Sequence, residues 1–145
     1  MQSPSPSDAV LLDLLRRVKT IAVVGIKAGE HDDAFRVPRY LQQQGLRILP
    51  VSPKLEQVLG EPCAHSLGEL VETPDLVNLF RASPHIPAHA DEILALPQRP
   101  LGVWMQLGIR HPEASARLRA AGIAVVEDRC LMVEHARLFG RRPAD

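Results

Sequence analysis

The chain has 145 residues and a mass of 16.0 kDa, enough for one domain with a sizeable core and too little for two. Hydrophobic residues make up 46% and charged residues 23%, which excludes a disordered chain, and 17 basic against 17 acidic residues counts against a nucleic-acid or anionic-membrane binder. No apolar run nears the roughly 18 residues of a membrane span, Met1–Ser7 has neither part of a signal peptide, and two cysteines, Cys63 and Cys130, make no disulfide framework, so a cytoplasmic setting is expected.

In chain order, residues 1–7 read as a loose Ser/Pro stub, 8–140 as the folded domain and 141–145 as a tail. Asp8–Val18 has apolar residues at helical spacing, with Ser7 placed to cap it. Thr20–Gly25 (TIAVVG) predicts a buried strand, and Ala34–Gln44 a helix ended by Gly45 with Pro38 in its first turn. Leu46–Val51 (LRILPV) is a second strand, Asp75–Phe80 (DLVNLF) a third, and Ile86–Leu96 the helix after it. Leu101–Met105 is a fourth strand, Pro112–Ala121 a helix, Ile123–Val126 a fifth strand and Arg129–Phe139 the closing helix.

Apolar strands alternating with helices predict an α/β fold: a single doubly wound, Rossmann-like, five-stranded parallel sheet, with order 3-2-1-4-5 preferred. Such sheets bind ligands beyond the carboxyl ends of their strands at a switch point, here expected between strands 1 and 4. The loops that matter are then 25–36, 52–60, 81–85, 106–111 and 128–130.

The first of these loops begins Gly25-Ile-Lys-Ala-Gly29, a glycine turn that lets backbone approach a phosphate but not the GxGxxG fingerprint, since position 27 is Lys. After strand 2 comes Pro50-Val-Ser-Pro-Lys54, with no acid before Glu56 to grip a ribose diol, which counts against NAD; a cation there suits a phosphorylated ribose. Lys27 and Lys54 are two of only three lysines beside 14 arginines, and Arg81 ends strand 3. Ordinary surface charge is the alternative for each alone; three cations at adjacent strand ends suit an anionic ligand.

VVG at 23–25, ILPVSPK at 48–54, LGEP at 59–62, SLGEL at 66–70, NLFR at 78–81, WMQLGI at 104–109 and EDRC at 127–130 fall in order across the folded part. Together they resemble the stand-alone coenzyme A-binding domain family, which is similar to the nucleotide-binding half of the succinyl-CoA synthetase alpha subunit. The resemblance implies that Gly25, Ile26, Lys27 and Ala28 approach the pyrophosphate of CoA, with Arg36 also in the binding set. It implies that Val51, Ser52, Pro53 and Lys54 flank the adenosine and its 3′-phosphate. Phe80 and Arg81 would line the cleft, and Gln106, Leu107 and Gly108 would face the pantetheine. Lys27 stands where the family usually has Ser, and Ser52 where it commonly has Asn.

No catalytic residue is assigned. His85 and His89 stand four apart with Pro87 between them and without the Glu of HExxH, so no metal site is expected. His31, His65 and His111 fall in loops, and His135 reads as packed or solvated. Cys130 opens a helix, and its default reading is a small buried residue. The synthetases' phosphorylated His belongs to a second domain that has no counterpart here, so the resemblance carries binding and not ligation. The expected function is a non-catalytic module that binds, carries or senses CoA or an acyl-CoA, with a small-molecule ligand and neither nucleic acid nor membrane as partner. The alternatives are an NADP-dependent oxidoreductase with Ser52 and Lys54 on the 2′-phosphate, and a regulatory interaction domain with a vestigial nucleotide site.

Overall fold

Helix α1, Asp8–Arg17, starts where the Ser7 hydroxyl accepts from the Val10 amide at 3.3 Å, and it buries Leu11, Leu14 and Leu15 along one stripe. The computed structural model describes residues 5–140, so the expected tail at 141–145 and most of the expected stub lie outside the described residues. Strand β1, Thr20–Val24, leads to α2, Asp33–Gln43, which Asp32 caps by accepting from the Ala34 amide at 2.9 Å. Pro38 sits in the second turn of α2, not the first. Proline brings no amide to the Ala34 carbonyl four residues back, and the Lys27 amide takes that acceptor instead, at 3.2 Å. A defect in the helix thereby ties the loop after β1 onto it.

Next come β2 (Arg47–Val51), β3 (Leu76–Leu79), α3 (Ile86–Leu94), β4 (Gly102–Met105), α4 (Pro112–Ala120), β5 (Ala124–Val126) and α5 (Leu131–Phe139). Where a helix would join β2 to β3, the chain instead makes a short hairpin, Gln57–Val58 with Glu61–Pro62, and a 3-10 turn, Leu67–Glu69. Leu59 and Gly60 turn the hairpin with φ of 56° and 76°.

All five strands are parallel, and the doubly wound α/β class is as expected. Within the sheet the order is β2-β1-β3-β4-β5, so the third strand lies beside the first, whereas the expected 3-2-1-4-5 put it beside the second. Pro50 supplies the physical reason. It has no amide for a second ladder, so β2 belongs at an edge, where Ala64 bonds the Pro50 carbonyl from the open side at 3.0 Å. The switch point therefore falls between β1 and β3.

Strand residues alternate between two cores. Ile21, Val23 and Trp104 face α1, α2 and α5, while Val24, Leu79 and Met105 face α3 and α4. Trp104 is fully buried and its indole donates to the Arg129 carbonyl at 2.8 Å. His135 proves to be packed: its Nδ1 lies 2.9 Å from the Tyr40 hydroxyl, joining α5 to α2. Among the described residues no helix is long and apolar enough to cross a membrane.

Candidate functional site

Gly25 is where the sheet forces a close approach. Its amide donates to the Val51 carbonyl at 3.0 Å, its φ is +85°, and a Cβ placed on it would stand 2.4 Å from the Phe80 carbonyl oxygen. Only glycine fits between the ends of β2 and β3 there. Two cavities open beside it at the carboxyl ends of the strands. The larger, about 330 Å³, is bordered by Gly25, Lys27, Phe80, Arg81, Gln106 and Leu107, with Cys130 also on its wall. The smaller, about 140 Å³, is bordered by Gly25, Val51, Pro53, His65, Arg81 and His89, with Glu92 beside them. Arg81 stands between the two.

Eight of the residues expected at the site thus gather around these cavities: Gly25, Lys27, Val51, Pro53, Phe80, Arg81, Gln106 and Leu107. The other six lie outside both linings. Ile26 is 2% exposed and packs into the core with α2. Ala28 is exposed, as is Arg36, which pairs with Asp33 at 3.0 Å. Ser52 is buried and its hydroxyl accepts from the Lys54 amide at 3.1 Å, while the Lys54 residue itself is exposed. Gly108 is exposed and donates its amide to Asp128 at 2.6 Å.

Gln106 is 5% exposed, and its side-chain carbonyl accepts from the Asn78 amide at 3.2 Å and the Leu131 backbone amide at 2.9 Å. With its oxygen committed inward, the nitrogen of the side chain is the group left for the cavity. Asp128 braces the same loop from below: besides Gly108 it binds the Arg110 guanidinium, and these two bonds hold its carboxyl below the usual carboxylate range. Asp32 and Asp33 also border the larger cavity. The first is committed to capping α2 and the second to Arg36, which leaves Lys27 and Arg81 as the cations facing the space.

Outside the expected binding set, the smaller cavity is also bordered by His65, His89 and Glu92, of which the sequence reads the two histidines as a loop residue and as half of a rejected metal pair. Histidine and glutamate three apart on one helix was the available signal for His89 and Glu92, since that spacing places them on one face. A wider cleft of about 820 Å³ lies at the C-terminal end of α3, and its lining carries Glu72 and Glu92 but no cation. Its size therefore does not make it a site for an anionic ligand.

Known proteins are similar to the chain in sequence and fold. The chain is 36% identical over 132 residues to YneT, an uncharacterized protein of Bacillus subtilis (strain 168), an alignment covering 91% of this chain and 96% of that one. The solved structure of cell-free ID.343 from Thermus thermophilus is 47% identical, with a TM-score of 0.87 over 92% of this chain and 100% of the other. A hypothetical protein from Pyrococcus horikoshii OT3 is 32% identical, with a TM-score of 0.87 over 97% of this chain and 100% of its own. A family model described as CoA binding domain matches residues 19–136, and the chain belongs to that family.

Proposed function

We propose that the chain binds coenzyme A or an acyl-CoA across the two cavities at the carboxyl ends of β1, β3 and β4, as a non-catalytic binding, carrier or sensing module. The observation that carries this reading is the place where Gly25 must be glycine. The family match coincides there with a switch-point crevice bordered by Lys27 and Arg81.

The residues present suit such a ligand. Gly25, whose Cβ direction is taken up by the Phe80 carbonyl, presents bare backbone on the cavity wall for a pyrophosphate to approach, and Lys27 and Arg81 supply positive charge. The Gln106 side-chain nitrogen is a donor for an amide carbonyl of a pantetheine arm. Leu107, 70% exposed at the rim, offers apolar surface to the same arm. Ile26 and Ala28 contribute as loop backbone, and Ser52 holds the turn that carries Lys54 toward the nucleotide end. Arg36 and Gly108 are proposed as outer contacts only.

Thermal melting with CoA, NADP and ATP in parallel tests the proposal. A ligand at 100 times its Kd stabilises by about 2.7 kcal/mol, which raises Tm by roughly 5–10 °C in a chain of this size. We expect CoA to give the largest rise. A larger rise with NADP, or none with any of the three, contradicts the proposal.

A further inference from the structure

We propose that His89, held by Glu92, is a positioning residue for Arg81, fixing its guanidinium toward the anionic part of the bound ligand. This rests on the binding role proposed above and adds two residues of α3 that lie outside the expected site.

The geometry determines the protonation of the ring. Arg81 Nε, which always carries its proton, lies 3.3 Å from His89 Nε2, so Nε2 must be the bare, accepting nitrogen. His89 Nδ1 lies 2.7 Å from Glu92 Oε1, and a carboxylate accepts, so Nδ1 bears the hydrogen. The chain Glu92–His89–Arg81 is consistent only with a neutral imidazole in the Nδ1–H tautomer. A second proton on the ring would face the Arg81 N–H.

Position turns this chain into a device for the cavity. The His89 side chain is 15% exposed and that of Glu92 is 34%, so the ring is held within the wall of the smaller cavity. Arg81 is exposed and borders both cavities. Among the described residues its side chain makes one hydrogen bond, through Nε, and no ion pair. Both terminal nitrogens, with four N–H groups, are thereby left for a ligand. An exposed arginine with no anchor samples many rotamers and must lose them on binding; one held at Nε has lost most of that freedom already. The other titratable group on the same cavity wall, His65, comes from the loop after the hairpin and, among the described residues, makes no hydrogen bond to Arg81, His89 or Glu92.

Calorimetric titration of CoA into the parent chain and four variants tests the proposal. Arg81→Ala should lose about tenfold or more in affinity, and His89→Leu about three- to tenfold. His89→Gln places an amide oxygen near the former Nε2 and should stay within about twofold of the parent. In the double variant, His89→Leu should add nothing to Arg81→Ala, since it acts through that residue. Nitrogen-15 spectra of the ligand-free parent should show the Nδ1–H tautomer at His89. Parent-like binding by His89→Leu, a full His89→Leu loss in the Arg81→Ala background, or an Nε2–H tautomer each overturns the proposal while leaving the binding role intact. A parent chain that ignores CoA overturns both. If His89→Leu does not fold, Glu92→Leu replaces it: a two- to threefold loss supports the proposal and parent affinity overturns it.

Discussion

The carboxyl end of the sheet and the cleft along α3 make opposite uses of space. The α3 cleft is the larger, at about 820 Å³, yet Gly68 on its wall has nothing closer than 4.0 Å to an added Cβ, and its charged residues are Glu72 and Glu92. The carboxyl-end cavities hold about 330 and 140 Å³, but backbone is pressed so close at Gly25 that a Cβ would collide, and the cations Lys27 and Arg81 stand there beside the acids Asp32, Asp33 and Glu92. Volume alone would choose the first. The place at the carboxyl ends of the strands, and the cations there, favour the second for the anionic ligand proposed.

The sharpest way to break this comparison is a pair of alanine substitutions. Gly25→Ala imposes a positive φ on a residue with a Cβ and drives it into a backbone oxygen, so we expect about 2–4 kcal/mol lost in urea denaturation, together with CoA binding. Gly68→Ala should stay within about 0.5 kcal/mol. Equal effects would erase the distinction. Next in size, Arg81→Ala should weaken CoA binding by about 1.5–3 kcal/mol, as for other hydrogen bonds to charged groups, while Glu72→Gln in the α3 cleft leaves it unchanged; titration calorimetry reads both.

Lys54 sharpens the comparison from the edge of the site. It is exposed and outside both linings, so Lys54→Ala should cost only about 0.2–1 kcal/mol, seen as a narrower preference for CoA over dephospho-CoA that shrinks further with salt. A loss of equal size for both ligands would place Lys54 away from the ribose phosphate. The smallest effect concerns Asp128. Its folded-state carboxyl titrates below its unfolded value, so its contribution is present above about pH 4 and is lost as pH falls through the folded value. Asp128→Asn should therefore lower the urea midpoint at pH 7, and the gap to the parent should close in acid. A gap that persists at low pH would mean that Asp128 acts through the geometry of its hydrogen bonds to Gly108 and Arg110 rather than through charge.

The strands were legible because TIAVVG is nearly all apolar and DLVNLF is interrupted within the strand only by Asn78, as burial on both faces requires. Strand order was less so, although Pro50 inside LRILPV already marked an edge strand. The hairpin at 57–62 escaped notice because Leu59, an uncommon residue for positive φ, occupies a turn position where Asn or Gly is the usual signal. Gly25, Lys27 and Arg81 could be read from their place after apolar strands. Arg36 and Lys54 could not be sorted from them, since an ion pair at 3.0 Å and an exposed side chain are facts of three dimensions. The tie between Lys27 and Ala34 depends on a missing proline amide one turn along α2 and shows only in three dimensions.

The most direct measurement is amide chemical-shift mapping during titration with CoA. We expect the largest changes at Gly25, Lys27, Arg81, Gln106 and Leu107, with Gly68, Val71 and Glu72 still. Changes concentrated at Gly68–Glu72, or none at saturating CoA, would contradict the assignment of the ligand to the carboxyl end of the sheet.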